Sequence, residues 1–377
     1  MNWRTWAVLG IASMTACKKP VPEPEPPIVV DVWPELPDPA FPYSEVTFPE
    51  TWLSDPAMNL FHVNDANNPI TDAGATLGRV LFYDPQLSSN MRVSCASCHR
   101  PERGFADGEA VSAGVEGGVT HRNSMALINL AYQRRLFWDA RETELEAQVL
   151  QPIAHPDEMG MDLAALPVRL EGVPYYAELF AEAFGDEEIT TERVAGALAQ
   201  FLRSLQTTGS RYDAGLETGF SNFTAQELEG KSLFFNGETR CAQCHGTLNF
   251  FTPSELMVNG LDVNYGAAGD GGLSEFTGNP AQDGLFRVVS LRNIGLTAPY
   301  MHDGRFATLR EVVDFYADGI QPHPNLNHRL SDTGVGPNGQ PPMTMPLNSA
   351  QREALAAFLL TLSDTTDFVN SPWGSPF

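Results

Sequence analysis

The chain has 377 residues, 42% of them hydrophobic, which is enough for one large or two medium domains with proper cores. Its formal charge of −24 argues against a nucleic-acid partner, because the phosphates would be repelled. The acidic surface would suit a basic redox partner, although it also simply favours solubility. Of the five cysteines, four belong to two short motifs, so no free pair remains for a structural disulfide.

The N-terminus carries the features of an export signal. Arg4 supplies a positive charge, residues 6–12 form an apolar core too short to cross a bilayer, and Cys17 ends a segment that resembles a bacterial lipoprotein box. We therefore predict a signal peptide over 1–16 and lipid anchoring through Cys17 on the periplasmic side. The alternative is an ordinary secretory signal cleaved nearby.

Residues 17–43 are rich in Pro and Glu and lack helical or strand periodicity, which predicts an extended tether between the anchor and the folded part. No later stretch is long and apolar enough to span a bilayer. Membrane contact is therefore expected only through the lipid anchor.

Two Cys-x-x-Cys-His motifs carry most of the chemical information. They are Cys95-Ala96-Ser97-Cys98-His99 and Cys241-Ala242-Gln243-Cys244-His245. Two thiols at this spacing can form thioethers to one haem, and the following histidine can bind its iron. A zinc site would not require histidine at the same offset twice, and a redox dithiol would not need it at all. The motifs predict two covalent c-type haems.

The segments around the two motifs resemble each other in order. In the first half the order along the chain is Gly78–Tyr83, the first motif, Arg122-Asn123, Trp138–Arg141 and Leu145. In the second half the corresponding order is Gly230–Phe235, the second motif, Arg292-Asn293, His302–Arg305 and Leu309. Self-similarity over such a length predicts two related modules.

Regular structure is predicted to be mainly α-helical. Thr224 with Glu227 is a capping box that opens a helix through Phe234, and a last helix starts near Asn348-Ser349. A third helix keeps one apolar face from Val194 to Leu205. Strand-like alternation is scarce, and 254–284 is dense in Gly, Asn and Asp, which predicts a long loop. We expect two cytochrome-c-like haem domains related by internal duplication, with long irregular loops.

From about residue 47 to 364, the order and spacing of these motifs resemble the bacterial dihaem cytochrome c peroxidases and their MauG relatives. MauG matures methylamine dehydrogenase by oxidising tryptophans. The resemblance implies an N-terminal peroxidatic haem domain over 44–208 and a C-terminal electron-transfer haem domain over 209–365, followed by a tail over 366–377. His99 would then be the proximal ligand of the peroxidatic haem, and His245 the ligand of the other.

The resemblance also implies a distal pair, Gln148 and Glu158, beside the peroxidatic haem. A carboxylate in a partly apolar pocket can move a proton from one peroxide oxygen to the other. Such proton transfer typically accelerates a reaction by about 10²–10⁴-fold. Gln148 would orient the peroxide by hydrogen bonding. Read without the resemblance, the same residues are a surface Gln on a helix and a Glu in a Pro-flanked loop.

Two further sites follow from the same resemblance. Trp138 matches a tryptophan between the haems that would shorten electron tunnelling, although it is also a plausible core residue. Asn123, with the backbone carbonyls of Thr297 and Pro299, matches an inter-haem calcium site. Oxygen-only ligands of this kind suit a hard cation.

The chain departs from the peroxidases at the second haem, where Tyr316 stands at the position of their methionine ligand. Leu309, Val312, Val313 and Tyr316 follow helical spacing, so Tyr316 is predicted to share a buried face. A phenolate ligand stabilises ferric iron relative to methionine. The alternative is a core tyrosine, with Met343 or Met345 as the ligand.

A second departure concerns the distal side of the first haem. Many family peroxidases carry a blocking histidine there, and the matching register here holds Val115. His121 and His155 lie nearby in sequence and are possible ligands. We expect both to be non-ligating and the iron to be accessible.

Three functions remain open. The first is an exported peroxidase that reduces hydrogen peroxide with electrons from a small cytochrome c or copper protein. The second is a MauG-like enzyme that uses peroxide to oxidise Trp or Tyr residues of a partner protein, which Tyr316 favours. The third is a non-catalytic dihaem electron carrier, against which Gln148 and Glu158 argue.

Overall fold

The computed structural model describes residues 32–46, 48–54, 66–246, 250, 256–266, 269–332, 341–364 and 366–377. The predicted signal peptide, Cys17 and the first part of the tether lie outside these ranges. Within them the chain is helix-rich with little sheet, so the predicted mainly α class is confirmed. None of the described helices is long and apolar enough to cross a bilayer.

The α-helices are Glu50–Leu53 (α1), Asp72–Tyr83 (α2), Cys95–Cys98 (α3), Leu145–Ala154 (α4), Leu166–Glu171 (α5), Tyr176–Phe184 (α6), Thr191–Ser204 (α7), Arg211–Thr218 (α8), Ala225–Phe235 (α9), Cys241–His245 (α10), Leu273–Thr277 (α11), Leu309–Asp314 (α12) and Ser349–Leu360 (α13). A π-helical turn, Phe315–Gly319, continues α12. The strands Leu256–Met257 (β1) and Phe286–Arg287 (β2) pair antiparallel. Short 3₁₀ turns connect several of these elements, among them Leu130–Tyr132 and Ile294–Leu296.

Two large apolar cores divide the described chain. The first collects buried residues from Leu77 to Leu205 together with Phe368. The second collects buried residues from Tyr212 to Leu362. We call these parts the N-terminal and the C-terminal module.

Each module is built on one close helix crossing that needs a glycine. In the N-terminal module Gly78 of α2 faces Ala197 of α7, and in the C-terminal module Gly230 of α9 faces Ala354 of α13. A Cβ at either glycine would overlap the carbonyl oxygen of the facing alanine. In each of the two pairs, the helices therefore approach each other backbone to backbone.

The helix starts predicted from capping residues are confirmed. Thr224 and Glu227 form a reciprocal capping box at α9, and Asn348 with Gln351 does the same at α13. Such caps satisfy backbone N–H groups that have no partner within the helix.

The predicted long loop over 254–284 is more structured than expected. Its described part contains β1 and α11, and β1 pairs with β2 in the register Leu256↔Arg287. Gly and Asn signals indicated turns correctly, but they gave no sign of a two-residue strand that depends on a distant partner.

The C-terminal tail belongs to the N-terminal module. The Arg79 Nε donates to the carbonyl oxygen of Gly374 at 2.7 Å, and the Tyr83 hydroxyl donates to that of Trp373 at 2.7 Å. The described end of the tether joins it, since the Glu35 N–H donates to Pro376 O at 2.7 Å. The described start of the tether and the C-terminal tail thus lie together against the first module.

The structure corrects the register of the sequence repeat. Asn293 corresponds to Asn129, not to Asn123. Asn129 and Asn293 both adopt left-handed backbone (φ 61° and 60°) before a 3₁₀ turn, a conformation that asparagine tolerates. Their side-chain oxygens accept from the N–H groups of Thr207 and Asp364, just after α7 and α13. In this register Asn123 corresponds to Arg287.

Candidate haem sites

The first motif presents its histidine in the form that a metal requires. The Nδ1 of His99 lies 2.8 Å from the carbonyl oxygen of Phe105, so it carries the proton and leaves Nε2 with its lone pair. Burial lowers the pKa of His99, which favours the neutral ring. Both features are those of a proximal iron ligand.

The second motif opens into a cavity of about 270 Å³. Cys241, Cys244 and His245 line it, together with apolar side chains such as Leu355 and Leu359. Burial lowers the pKa of His245 to about 4, so its imidazole is neutral. The Val289 backbone offsets this effect in part by hydrogen bonding to the ring, although the contact at the buried Nδ1 falls short of good hydrogen-bond geometry within the described chain. An apolar cavity with cysteines and a neutral histidine on its wall fits a covalently attached haem.

The thiols do not resemble a redox dithiol. Burial raises the pKa of Cys95 to about 12 and that of Cys98 and Cys241 to about 11. Reactive Cys-x-x-Cys pairs have lowered thiol pKa values instead. All four motif cysteines are free of disulfides. The environment therefore favours attachment of an apolar group over thiol–disulfide exchange.

Tyr316 lies in the π-helical turn, not in the α-helix that its spacing predicts. The α-helix α12 ends at Asp314, and the wider turn carries Tyr316 to the wall of the cavity. Such turns recur at functional sites. Burial raises the pKa of Tyr316 to about 12, so the phenol keeps its proton unless a bound cation removes it.

The two methionines considered as alternatives to Tyr316 differ in whether they line the cavity. Met345 also lines the cavity, and its N–H donates to Ala317 O at 2.7 Å. Met343 is buried beside it among apolar side chains but is not part of the cavity wall. Of the three predicted candidate ligands, Tyr316 and Met345 therefore lie on the cavity wall and Met343 does not.

The predicted distal pair lies on and just after α4. Gln148 is half-buried next to the buried Val149, and its side chain makes no hydrogen bond with the described residues. Burial raises the pKa of Glu158, and this carboxylate in turn raises the pKa of Cys95 and Cys98. Glu158 is therefore close enough to the first motif for direct electrostatic action.

The two histidines considered as distal ligands lie in polar surroundings. The His155 Nδ1 lies 3.9 Å from a Glu158 oxygen, and its side chain is half-exposed. The His121 side chain is largely exposed, 3.7 Å from Asp270 and 3.8 Å from Glu275 of the C-terminal module. Asp270 already holds the Arg122 guanidinium at 2.6 Å.

The modules meet along a seam formed by residues 122–142 of the first and 285–305 of the second. Two reciprocal backbone bonds cross it: the Asn123 N–H donates to His302 O, and the Arg287 N–H donates to Trp138 O, both at 2.7 Å. Such reciprocity is the mark of a two-fold interface. The Trp138 Nε1 donates to Asn123 O at 2.9 Å, which fixes its ring in the seam at the cavity wall.

The three residues of the expected calcium site converge on the same cavity wall. Asn123, Thr297 and Pro299 all line it. The Nδ2 of Asn123 donates to Glu109 O at 2.7 Å, which turns the amide so that Oδ1 is left for another partner. This donor set fits a hard cation.

Sequence reasoning missed the buried ion pair that joins α1 and α8 to the seam. Arg292 pairs with Asp213 through two hydrogen bonds, and its guanidinium lies 4.4 Å from the Trp52 ring centre. The sequence had placed Arg292 in the repeat only as the partner of Arg122. Asp213 carried no such signal, because its role depends on tertiary contact.

Comparison with known proteins agrees with this geometry. The di-haem cytochrome c peroxidase family profile matches residues 72–219. The methylamine utilization protein MauG of Methylorubrum extorquens is 36% identical over 298 residues, covering 78% of this chain and 79% of that protein. The cytochrome c551 peroxidase of Nitrosomonas europaea is 36% identical over 250 residues, covering 64% and 71%.

The fold is similar to those of solved structures of dihaem peroxidases and MauG-like proteins. A MauG-like protein associated with microbial copper homeostasis has a TM-score of 0.72 at 32% identity, covering 83% of this chain and 95% of that chain. The diheme peroxidase BthA from Burkholderia thailandensis has a TM-score of 0.65 at 27% identity, covering 82% and 91%.

Fold and motifs together define a helical two-module c-type haem oxidoreductase. The chain belongs to the dihaem cytochrome c peroxidase family, which includes MauG. The predicted family and enzyme class are thereby confirmed.

Proposed function

We propose that this protein is an exported dihaem peroxidase. It reduces hydrogen peroxide at the N-terminal haem with electrons that a small cytochrome c or copper protein delivers through the C-terminal haem. The observation that carries this proposal is the contrast between the two sites. The first has a carboxylate of raised pKa beside its motif, and the second is a cavity with Tyr316 and Met345 on its wall.

Each haem supplies a redox-active iron, and the chain supplies the proton handling. Glu158, in a partly desolvated position, accepts a proton from one peroxide oxygen and returns it to the other. Gln148, with a free amide, hydrogen-bonds the peroxide. Trp138, fixed by its bond to Asn123 O, provides a π system between the modules.

A MauG-like activity is the second candidate, in which peroxide oxidises Trp or Tyr residues of a partner protein. Tyr316 favours it, because a phenolate ligand stabilises oxidised iron. The third candidate, a pure electron carrier, would have no use for a half-buried acid of raised pKa beside the first motif.

Steady-state assays of the mature holoprotein separate the three. Peroxide-dependent oxidation of reduced cytochrome c or a small copper protein is expected at rates well above free haem. If donor oxidation is absent but peroxide treatment crosslinks or hydroxylates a partner's aromatic residues, the MauG-like activity holds. If protein that carries both haems shows neither activity, the electron-carrier function is the one that remains.

Three further proposals accompany this function. The protein is held on the periplasmic side by a lipid at Cys17, supported by the lipoprotein-like segment. One calcium ion binds at Asn123 and the carbonyls of Thr297 and Pro299, supported by their common cavity wall. The modules arose by internal duplication, supported by the matched glycine crossings and the reciprocal seam bonds.

A further inference from the structure

Arg287 is a buried cation without an acidic partner. Its side chain is nine-tenths buried, and no carboxylate of the described chain forms an ion pair with it. Burial lowers its pKa to about 10, and no acidic group offsets that effect. Its Nε has no hydrogen-bond partner, and the residue lines the cavity of the second motif. A buried charge of this kind requires a compensating anion.

The guanidinium is held by two oxygens of the other module. One nitrogen donates to the Gln133 Oε1 at 2.6 Å and to the carbonyl oxygen of Arg135 at 2.8 Å. Both acceptors are neutral. They orient the guanidinium within the seam and leave its charge uncompensated.

These residues occupy positions that mirror the proposed calcium site. The register that matches Asn129 with Asn293 also matches Asn123 with Arg287, Gln133 with Thr297 and Arg135 with Pro299. The backbone confirms the match at the first pair, since Asn123 and Arg287 make the two reciprocal bonds across the seam. An arginine with two oxygen acceptors thus stands where the other half offers an amide and two carbonyls.

We propose that the Arg287 guanidinium is a built-in counterpart of the metal cation, and that it binds a propionate carboxylate of the C-terminal haem. One side of the seam would then use a removable divalent ion and the other a covalently tethered monovalent one. The haem that faces Arg287 is the one attached to Cys241 and Cys244, because all three residues line the same cavity.

A positive charge beside a haem disfavours the ferric state, because oxidation adds positive charge to the iron. Losing Arg287 also leaves a propionate without its partner, and both effects lower the midpoint potential of that haem. At the wild-type midpoint, the oxidised-to-reduced ratio of the C-terminal haem should rise about tenfold, which equals 59 mV for a one-electron couple.

The test uses full-length holoprotein with both haems verified by pyridine haemochrome. Redox titration followed by absorption should show this shift in Arg287→Gln, and less than a threefold change in Arg287→Lys. The matched control is Arg193→Gln, which removes an exposed guanidinium paired with Asp186 in the N-terminal module. An unchanged C-terminal midpoint in a fully loaded Arg287→Gln protein would overturn the proposal.

A second arm tests the correspondence with the metal site. Arg287→Asn recreates the amide found at Asn123, so with saturating calcium it should hold one more equivalent than wild type by elemental analysis. Added calcium should also return its C-terminal midpoint toward the wild-type value. Calcium content equal to wild type would contradict the proposal.

If these variants fail to retain both haems, wild-type protein labelled with ¹⁵N-guanidino arginine answers the question. Redox-difference infrared spectra should contain an isotope-shifted guanidinium band that follows the C-terminal haem, and its absence would refute the pairing. All readouts are potentials, metal content or spectra. They stand whether or not the protein turns over peroxide.

Discussion

The two modules share a scaffold and differ in what they place above their haem sites. Gly78 and Gly230 set the same helix crossing, and Asn129 and Asn293 set the same turn. After the seam, however, α4 runs for ten residues and leads into the loop of Glu158, whereas α12 runs for six and widens into a π-helical turn.

That difference underlies the different roles proposed for the two haem sites. In the common register Tyr316 corresponds to Pro152, whose side chain has no atom that could bind a metal. The proposed residues of the first site are instead Gln148 and Glu158. In the second module Tyr316 lies on the cavity wall with Met345. The two modules thus share a helix crossing and differ at the end of this helix, which leads to the proposed acid–base residues in one half and to a candidate ligand in the other.

The largest effect is expected from a substitution that removes the proposed acid–base residue of the first module. Glu158→Gln should lower peroxide turnover by about 10²–10⁴-fold and keep both haems, because the amide cannot accept the proton. Turnover and haem content are measured on the same preparation. Asp157→Asn, one residue away and exposed, is the matched control and should stay near wild type. Wild-type turnover in Glu158→Gln would refute the assignment.

The ligand of the second module is tested by Tyr316→Phe. If the phenol binds the iron, its loss should raise the C-terminal midpoint on the order of a hundred millivolts, within the ~0.8 V that axial ligands span. Redox titration and the absorption spectrum report the change. Met345→Leu is the reciprocal variant and should leave both unaltered. The opposite pattern would assign the site to Met345.

The shared scaffold predicts matched losses of stability. Gly78→Ala and Gly230→Ala each place a methyl group against a facing backbone carbonyl, which should cost about 1–3 kcal/mol in the free energy of unfolding. Denaturant titration of the holoprotein measures it. Gly237→Ala, where a Cβ meets only open space, is the control and should be neutral. A neutral Gly230→Ala would show that the crossings are not equivalent.

The smallest effect is a pH dependence confined to the first module. Glu158 acts as a carboxylate, and burial raises its pKa, so turnover should be complete at high pH and fall about tenfold per unit below that raised pKa. The acid limb should therefore lie above the ordinary glutamate value of about 4.3. The kcat/KM profile measures it. A limb at or below that value would show that another group controls the reaction.

Much of this protein could be predicted from local signals. The capping residues at Thr224 and Asn348 determine where helices begin because their side chains satisfy nearby N–H groups. The haem motifs could also be recognised from the sequence, because attachment through two thiols and an imidazole requires a fixed spacing along a single turn.

The two incorrect predictions, the partner of Asn293 and the helix type at Tyr316, have a common cause. The sequence paired Asn123 with Asn293 because both follow an arginine, but the true partner of Asn293 is Asn129, identified by bonds to residues far along the chain. Helical spacing placed Tyr316 on an α-helix, but the backbone widens into a π-helical turn at Phe315, one residue earlier. Neither fact has a local signature.

The class of protein, the two haem attachment motifs and the mainly helical structure could be inferred from residue order alone, because they rest on short motifs and on spacings along single helices. The register between the halves, the seam and the isolated charge of Arg287 could be identified only in the folded molecule. These depend on groups more than seventy residues apart in the sequence, whose meeting is set by packing of the whole chain and not by local preference.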